Sequence, residues 1–537
     1  MANKLPFSDL VNEMKGKETT NGWDMLVSYN VQQINDLLKV RAEKLPGVLN
    51  IGKIVTQYQD PFADDDEEDE ATVAMVFELK LSTPTLQFND GQGQVTLHFP
   101  MEGTTKKGDS SPKAIKPGHS LQIVTNLTNV SGTLTDTANP HLADFTPDSN
   151  ATKTPSKHVV ILDPGLTKAQ GICIDFSSIK PGTLTVLDPK GKESRLANTI
   201  KTELTNHFME TGGLRYYIAG ISNSYQSQQG SEFLKPSAFC FSVIPAADAG
   251  QGTLCMWIDV KDGGGNGDRP TGPTSLTFHP DKQDVHPIPE GSTASIIFSY
   301  RLMAKWLKKS FENLKCRDFN VVQKDGGGLK FELKLPGGHV KAFPGSTETK
   351  FMGWDNFPPV GFDMDSIITT VDFDPHVSEK PATMKFSLSK TTDWSYTVYC
   401  DGPPGSIRHE GRVYHQFEFV DSATWKGSDD ITKYPNIINL KFIHQENFTV
   451  TGTTENYSWG QRVWGGKENE VPAVYKSITV KVPQMNLDLP GIDYFLTTNL
   501  LLPGARLFKA KDPQRNLATP RDLILLGDIA SPQDIWK

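Results

Sequence analysis

The chain has 537 residues, of which 37% are hydrophobic, with 45 Gly, 36 Pro and a formal net charge of −9. This length exceeds what one hydrophobic core usually supports, so we expect two or more domains. The many turn-forming residues favour short antiparallel strands, and therefore a mostly β protein. An acidic chain lacks the basic field that non-specific nucleic-acid binding requires, so we expect no nucleic-acid partner.

The cysteines and the N-terminal residues indicate the cellular compartment in which we expect the protein to be made. The five cysteines are widely spaced and include no CxxC pair, which argues against a disulfide framework and against a thiolate zinc site. The stretch MANKLPFSDLVNEMKGKE lacks the apolar centre of a secretory signal, and no run is long enough to predict a transmembrane helix. We expect synthesis in the cytoplasm and, if the protein is released, a route that needs no signal peptide.

The first predicted elements lie in residues 21–40, NGWDMLVSYNVQQINDLLKV. The apolar burst that starts at Trp23 predicts a strand. Ile34, Leu37 and Leu38 then recur at helical spacing and predict a helix that begins near Asn30 and ends near Leu45. The chain therefore changes from strand to helix within one short stretch.

Alternating strands dominate the chain after this helix. Residues 64–70 (DDDEEDE) predict a solvated loop, because like charges repel one another. Apolar residues alternate over 73–81 and again over 95–101, which predicts half-buried strands. Helical spacing returns over 195–211 and ends at Gly-Gly, and LRYYIAGI at 214–221 then predicts a strand.

A glycine-rich stretch marks the predicted boundary between two halves. Residues 261–274 (KDGGGNGDRPTGPT) lack the Lys-Ser/Thr pair of a phosphate-binding loop, so they predict a flexible connection. We therefore assign a first half to 1–260, a linker to 261–290 and a second half to 291–537.

The second half opens as the first does. Residues 295–314, SIIFSYRLMAKWLKKSFENL, contain an apolar burst and then a helical stripe of Met303, Trp306 and Leu307. The two stripes match at an offset of 269 residues, whereas the pairs Ser28-Tyr29 and Ser299-Tyr300 are 271 apart. The repeat therefore slips by two residues and indicates two related halves.

A helix with one apolar stripe and strands with one apolar face are both satisfied if a curved antiparallel sheet wraps around the helix. The predicted fold is therefore α+β and mostly antiparallel β, with long helices wrapped by strongly curved sheets. Side chains fill the groove between sheet and helix, or it stays open to acyl chains, and both interpretations remain open. The candidate groove-lining residues are Ile34, Leu37, Leu38, Met303, Trp306 and Leu307.

The second predicted helix also carries a row of cations. Arg301, Lys305, Lys308 and Lys309 are candidates for contact with an anionic membrane. The alternative, which we favour from the pattern alone, is a core helix with a solvated basic face. One apolar stripe cannot serve the core and the membrane at once.

Catalytic patterns are few. Asp372, Asp374 and His376 share one face of a predicted strand and form a possible metal trio. His409 and His415 lack the spacing of a zinc-protease helix and lie in an alternating, strand-like stretch. We expect a protein that is not an enzyme and that binds no metal or cofactor.

Several stretches resemble a known family. These are NGWDMLVSYNVQQINDLL, LRYYIAGI, EFLKPSAFCF, GTLCMWI, DYFLTTNLLLPG and DLILLGDI. In this order they resemble the clostridial forty-seven-kilodalton proteins of OrfX-type botulinum neurotoxin gene clusters. That resemblance implies the tubular lipid-binding (TULIP) fold, in which a curved sheet wraps a long helix, and it supplies no catalytic motif.

The resemblance also implies a function. It points to a non-enzymatic accessory protein of a bacterial toxin locus, with a lipid-interacting or an assembly role. The implied partners are phospholipid or phosphoinositide and other proteins of the same toxin cluster. The alternatives are a toxin component that damages membranes directly, for example in insects, and a metal-dependent hydrolase.

Overall fold

The fold is described from a computed structural model of the chain. The residues described are 4–43, 50–59, 72–89, 94–134, 145–148, 154–155, 160–161, 169–175, 181–194, 200–206, 215–221, 236–244, 252–265, 267, 276–278, 280, 285–312, 318–324, 328–336, 339–343, 346–350, 353–357, 360–363, 366–373, 382–400, 406–426, 439–442, 447–456, 477–481, 486–488, 508–511 and 513–531. The predicted acidic loop at 64–70 lies outside these residues.

The described elements are mostly strands. The helices are α1 (Phe7–Met14), α2 (Val31–Glu43), α3 (Tyr300–Glu312) and α4 (Pro513–Asn516). The strands before α3 are β1 (Met25–Asn30), β2 (Asn50–Gln59), β3 (Thr72–Leu81), β4 (Thr85–Asn89), β5 (Gln94–Lys107), β6 (Lys113–Ala114), β7 (Ser120–Leu134), β8 (Phe145–Pro147), β9 (Thr154–Pro155), β10 (Val160–Ile161), β11 (Ala169–Asp175), β12 (Leu184–Leu187), β13 (Arg215–Ile221), β14 (Pro236–Ile244), β15 (Thr253–Val260) and β16 (Ala294–Phe298).

The strands after α3 continue the same pattern. They are β17 (Asp318–Gln323), β18 (Leu329–Pro336), β19 (His339–Phe343), β20 (Ser346–Lys350), β21 (Gly353–Phe357), β22 (Val360–Asp363), β23 (Ser366–Phe373), β24 (Ala382–Cys400), β25 (Ser406–Lys426), β26 (Asn439–Phe442), β27 (Asn447–Asn456), β28 (Ser477–Lys481), β29 (Asn486–Asp488), β30 (Phe508–Ala510), β31 (Leu517–Ala518) and β32 (Leu523–Ile529).

The chain forms two compact units. The first contains residues 1–303, 428–437 and 490–537, and the second contains 304–427 and 438–489. One sheet of the first unit joins strands from both predicted halves. The assignment of 1–260 and 291–537 to two tubular halves stays a prediction.

Two sheets build the first unit. One has the order β10-β14-β15-β1-β16-β32-β30, with β31 also paired to β32, and we call it the central sheet. The other has the order β13-β11-β7-β5-β3-β2, with five further strands along β5 and β7. The pairings in both sheets are antiparallel wherever the residues are described, which confirms a mostly antiparallel β fold.

The predicted strands of this unit are present. Val95, Leu97, Phe99 and Met101 are buried along β5, as their alternation predicts. The strand predicted from LRYYIAGI is β13. Within the helix predicted over 195–211, the described residues 200–206 are helical.

The central sheet has internal two-fold symmetry at one offset. Adding 269 to the residue numbers carries α2, Val31–Glu43, onto α3, Tyr300–Glu312. In the register, Val27 of β1 lies opposite Ile296 of β16, its own equivalent at this offset. The offset of 269 residues that matches the two helical stripes therefore also relates the equivalent helices and strands of the fold.

The outer neighbours of the two middle strands obey the same symmetry. Met25 of β1 lies opposite Ile258 of β15, and Ala294 of β16 lies opposite Gly527 of β32. An offset of 269 carries Met25 to Ala294 and Ile258 to Gly527. The predicted internal repeat thus extends from the strand–helix stretches to the strands beside them.

The two faces of the central sheet bury different side chains. One face, here the α1 face, packs Leu26, Trp257 and Ile297 against Leu10 and Met14 of α1. Burial of each such side chain contributes about 1.5–3 kcal/mol. Because side chains alternate along a strand, Tyr29 and its neighbours lie on the opposite face, here the Tyr29 face.

The Tyr29 face is also buried. Tyr29 lies opposite Leu254 and Ala294, and Met25 lies opposite Phe298, and these side chains are at most 3% exposed. On β1, β15, β16 and β32 the other side chains that alternation places on this face are Met, Val, Leu, Ile, Ala and Phe. Tyr29 is therefore the one polar side chain on this face of those four described strands.

The start of the predicted flexible linker is packed against the protein. A Cβ atom on Gly263 would overlap the Asp24 carboxylate, and one on Gly265 would overlap the Asp259 carboxylate. A Cβ on Gly267 would overlap the Trp23 ring. The interpretation of this part of 261–274 as flexible was wrong, because these glycines allow the backbone to approach a buried surface.

The long helices expected from the sequence are not shown. In the described residues α2 and α3 have 13 residues each. At 1.5 Å per residue each helix is about 20 Å long. The predicted strand-to-helix change is confirmed, since α2 follows directly after β1.

The second unit has one large sheet and one small sheet. The large sheet has the order β17-β18-β23-β24-β25-β26-β29, and β20, β21, β27 and β28 extend it. Its two longest described strands, β24 and β25, have 19 and 21 residues and pair antiparallel. The stretches MKFSLS and YTVYC both belong to β24.

Candidate functional site

The two strand–helix junctions are the candidate site, and each helix is capped by a side chain. The Asn30 side-chain oxygen accepts the N–H of Gln32 at 2.9 Å, and the Ser299 hydroxyl accepts the N–H of Leu302 at 3.2 Å. A cap of this kind contributes about 1 kcal/mol. Asn30 and Ser299 are 269 residues apart, so they hold equivalent positions.

Two cross-strand bonds tie these caps to each other's strands. The Asn30 N–H donates to the Thr293 carbonyl at 3.0 Å, and the Ser299 N–H donates to the Asp24 carbonyl at 2.9 Å. Thr293 is the 269-residue equivalent of Asp24, so the two bonds are related by the same symmetry. The central sheet therefore positions both helices through one repeated arrangement.

The first apolar stripe begins in the protein interior. Ile34 is 3% exposed, in the first turns of α2. The side-chain oxygen of Asn35 accepts the N–H of Leu86 in β4 at 2.8 Å, and the side-chain nitrogen of Asn35 donates to the Leu86 carbonyl at 3.2 Å. Because α2 also contacts β1, it packs against both sheets of the first unit. The side chains of Leu37 and Leu38 lie outside the described residues.

The second stripe begins in the same way. Leu302 and Met303 are fully buried in the first turn of α3. The side chains of Trp306 and Leu307 lie outside the described part of the chain. Ile34 and Met303 are thus placed in the interior, and whether a groove exists beside them stays a prediction.

The basic residues of α3 include two exposed lysines. Lys305 and Lys308 are exposed. Arg301 precedes them on the same side of the helix, since residues at i, i+4 and i+7 share one face. The side chain of Lys309 lies outside the described residues. The interpretation of α3 as a core helix with a solvated basic face fits its described residues, because Leu302 is buried.

Arg301 makes ordered contacts within the chain. Its Nη1 is 3.0 Å from the Glu18 carboxylate, and its Nη2 donates to the Gly22 carbonyl at 2.7 Å. The same Glu18 oxygen accepts the Gly22 N–H at 3.0 Å. Gly22 (φ 79°) follows Asn21 (φ 49°), so Arg301 and Glu18 hold a left-handed turn before β1.

A buried carboxylate that the sequence did not reveal fixes the start of α3. Asp522 accepts the Tyr300 N–H at 2.9 Å and both the N–H and the hydroxyl of Thr19, at 2.7 and 2.8 Å. Burial raises the pKa of Asp522, and the effect of burial exceeds the opposing effects of these bonds and of Arg521. A negative charge also interacts favourably with the N-terminus of a helix.

The possible metal trio, Asp372, Asp374 and His376, is only partly described. Asp372 lies in β23, and its carboxylate is 3.5 Å from Lys324 Nζ. Asp374 and His376 lie outside the described residues. Among the residues that the structure describes, no group of three His, Cys, Asp or Glu side chains is arranged to hold a metal ion.

His409 and His415 lie in β25, which confirms their interpretation as strand residues. No described helix combines the length and the apolar character that a bilayer span requires.

The chain is structurally similar to P47. P47 from Clostridium botulinum A2 aligns with a TM-score of 0.42 and 10% identity over 96% of this chain and 99% of that one. P47 of Clostridium botulinum E1 aligns with a TM-score of 0.38 and 11% identity over 96% of this chain and 100% of the other. The predicted resemblance is confirmed as a structural relationship, and it carries no conclusion on function.

A lipopolysaccharide binding protein aligns more weakly. Its TM-score is 0.23 and its identity 10%, over 95% of this chain and 99% of the other. The sequence matches no family model and no curated protein.

Proposed function

We propose that this protein is a non-enzymatic, lipid-interacting accessory protein of a bacterial toxin locus. The sequence motifs that resemble the clostridial forty-seven-kilodalton proteins support the locus. The observation that carries the lipid-interacting role is the orientation of α3, in which Leu302 and Met303 are buried while Lys305 and Lys308 are exposed. The helix offers cations to an anionic surface without withdrawing its apolar residues from the core.

Binding of this kind is electrostatic and reversible. Each lysine near an anionic membrane contributes about 1 kcal/mol, and the contribution falls within about 10 Å at 0.1 M salt. The proposed partner is an anionic phospholipid or a phosphoinositide, with proteins of the same locus as further partners. Phosphatidylcholine vesicles with and without a phosphoinositide separate binding to lipid in general from recognition of the charged head group.

Flotation of the full chain with these vesicles tests the proposal. The double variant Lys305→Glu/Lys308→Glu is expected to bind anionic vesicles roughly thirtyfold more weakly than the unchanged protein. The matched control is Lys113→Glu/Lys116→Glu, which changes two exposed lysines at the same spacing elsewhere in the chain. Equal binding by the two double variants would overturn the role of α3.

Native mass spectrometry of the purified protein addresses lipid carried inside the fold. A mass shift that disappears after extraction with organic solvent is expected if lipid co-purifies. Only the apo mass, together with no vesicle binding at low salt, would overturn the lipid-interacting role and leave an assembly role. Release of a trapped dye from vesicles by the protein alone would indicate direct membrane damage instead.

A further inference from the structure

Two buried aspartates lie side by side where β1 and β15 meet the glycine segment, residues 261–265. Extended by one residue, the antiparallel register of β1 and β15 places Asp24 opposite Asp259. The two residues are 0% and 4% exposed. A Cβ atom on Gly265 would overlap Oδ1 of Asp259 and would be 3.1 Å from Oδ1 of Asp24, so both carboxyl groups lie beside the same backbone position. Like charges directly opposite each other on neighbouring strands are destabilising.

The second half of the central sheet contains the equivalent pair in a different chemical form. Thr293 is the 269-residue equivalent of Asp24. Asp528 is the equivalent of Asp259 at the same offset. The Thr293 hydroxyl donates to Oδ1 of Asp528 at 3.4 Å, and Lys511 Nζ is 3.4 Å from Oδ2 of that carboxylate. The carboxylate of the second pair therefore has a hydrogen from a hydroxyl group and a positive charge beside it.

Asp24 also makes the backbone contact that this threonine makes. The Val260 N–H donates to Oδ2 of Asp24 at 3.0 Å. In the second half the Ile529 N–H donates to the Thr293 hydroxyl at 2.8 Å, and Ile529 is the equivalent of Val260. The carboxyl group of Asp24 thus occupies the place of a hydroxyl group. An ionised carboxylate, unlike a hydroxyl, brings no hydrogen to the opposite carboxylate.

The strands around the pair are uncharged apart from Asp259. No other charged residue lies on β1, β14, β15 or β16. Arg301 of α3 contacts the Glu18 carboxylate, and Lys17 donates to the Glu13 carbonyl. The other charged residues of α1, of the chain between α1 and β1 and of the glycine segment are exposed, and they are Asp9, Lys15, Lys261 and Asp262.

We propose that Asp24 and Asp259 share one proton, which takes the part of the Thr293 hydroxyl hydrogen in the second half and holds the glycine segment in place. Two carboxyl groups that share a site keep one proton more tightly than isolated carboxyl groups do. Release of this proton leaves two buried negative charges against the backbone of Gly263 and Gly265. Rising pH therefore loosens the segment, and the pair is a pH-sensitive device that does not depend on lipid binding.

Urea unfolding of the full chain at a series of pH values tests the shared proton, with Asp24→Thr as the variant. The threonine reproduces the arrangement at Thr293 and supplies its own hydrogen. Isolated aspartates have released their protons above about pH 5, so in that range the unfolded chain does not hold the proton that the folded pair keeps. The folding equilibrium constant of the unchanged protein, divided by that of the variant, is therefore expected to fall by up to about tenfold per pH unit as pH rises. A ratio that stays constant or rises would overturn the proposal.

Two further variants keep this test independent of one substitution. Asp24→Asn preserves the size of the side chain and supplies an N–H donor, so it is expected to give the same result as Asp24→Thr. Asp528→Asn is the matched control, because it changes the equivalent carboxyl group of the second half. Relative to Asp24→Thr, this control is expected to show the same decline as the unchanged protein. Loss of the decline in Asp528→Asn would overturn the assignment to Asp24 and Asp259.

Hydrogen exchange measured by mass spectrometry tests the effect on the glycine segment. The unchanged protein and Asp24→Thr are compared at the same pH, which cancels the intrinsic pH dependence of amide exchange. We expect equal exchange of this segment near pH 5 and roughly tenfold faster exchange in the unchanged protein near pH 9. Equal exchange at both values would overturn the loosening of the segment.

A chelator separates a shared proton from a bound metal ion. EDTA is expected to leave the unfolding midpoint of the unchanged protein at neutral pH where it is. A loss of midpoint in the unchanged protein that is absent from Asp24→Thr would mean that a metal ion neutralises the two carboxylates. That result would overturn the shared proton.

Discussion

At the β1–α2 junction the first helical N–H, from Val31, donates to the carbonyl of Gly252 at 2.9 Å. At the β16–α3 junction the equivalent N–H, from Tyr300, donates to the carboxylate of Asp522 at the same distance. The backbone geometry is the same at the two junctions, but the group that accepts the first helical N–H differs. A neutral carbonyl serves α2, whose positive and negative residues balance, and a buried carboxylate serves α3, whose charged residues are mostly basic. Differences between these junctions are therefore the place to look for function.

The symmetry itself is tested by paired truncations in the core. Leu254 and Leu523 are equivalent at the offset of 269, and both are fully buried. Leu254→Ala and Leu523→Ala are each expected to lower the free energy of unfolding by about 2–5 kcal/mol. Urea unfolding measures both, and similar losses would extend the symmetry from geometry to energetics. A difference above about 2 kcal/mol would restrict the symmetry to the backbone.

The carboxylate that distinguishes the second junction gives the next largest effect. Asp522→Ala leaves the Tyr300 N–H and two donors of Thr19 without their acceptor, so we expect a loss of about 2–4 kcal/mol. Asp528→Ala is the control, because it alters a half-exposed carboxylate of β32, the strand that begins directly after Asp522. Losses of equal size would show that Asp522 holds no special position.

The packed glycine segment beside the first junction gives a smaller effect. Gly263→Ala places a methyl group against Asp24 and Val260, and we expect a loss of about 1–3 kcal/mol. Gly182→Ala is the control, since nothing lies within 4 Å of a Cβ atom there. A neutral result at Gly263 would restore the interpretation of this segment as flexible chain.

A pH dependence is the smallest expected difference. Because burial raises the pKa of Asp522 above 3.8, the folded protein binds this proton more tightly than the unfolded chain. The stability of the unchanged protein relative to Asp522→Asn is therefore highest below the ordinary pKa and falls as pH rises through the raised one. Urea unfolding from about pH 3 to about pH 7 is expected to show this decline. A rise over this range would mean that the three hydrogen bonds outweigh burial.

The sequence predicted the elements whose signal is local. The change from period two to helical period near Asn30 places the β1–α2 junction, and alternation over 95–101 places β5. The Ser-Tyr pairs misled because Ser28 lies within a strand, whereas Ser299 caps a helix. Helical stripes, which follow the backbone, gave the offset that the fold obeys.

Contacts between distant segments left no local signal. Thr19 and Asp522 are separated by 503 residues, and Asp24 and Val260 by 236. A glycine cluster has the same composition in a mobile linker and in a segment pressed against buried carboxylates. Of the candidate residues, Ile34 and Met303 are placed in the interior and Lys305 and Lys308 at the surface, as helical spacing predicts.

The order of strands in the central sheet has a consequence for synthesis on the ribosome. β1 pairs with β15 and β16, but β16 gains its outer partner only when β32 has been made. At about 5–20 residues per second, the residues between β16 and β32 take roughly ten to fifty seconds to emerge. During that interval the hydrogen-bonding edge of β16 is open to other chains. The speed of translation, and any chaperone that shields that edge, would then decide how much of the protein reaches the symmetric sheet.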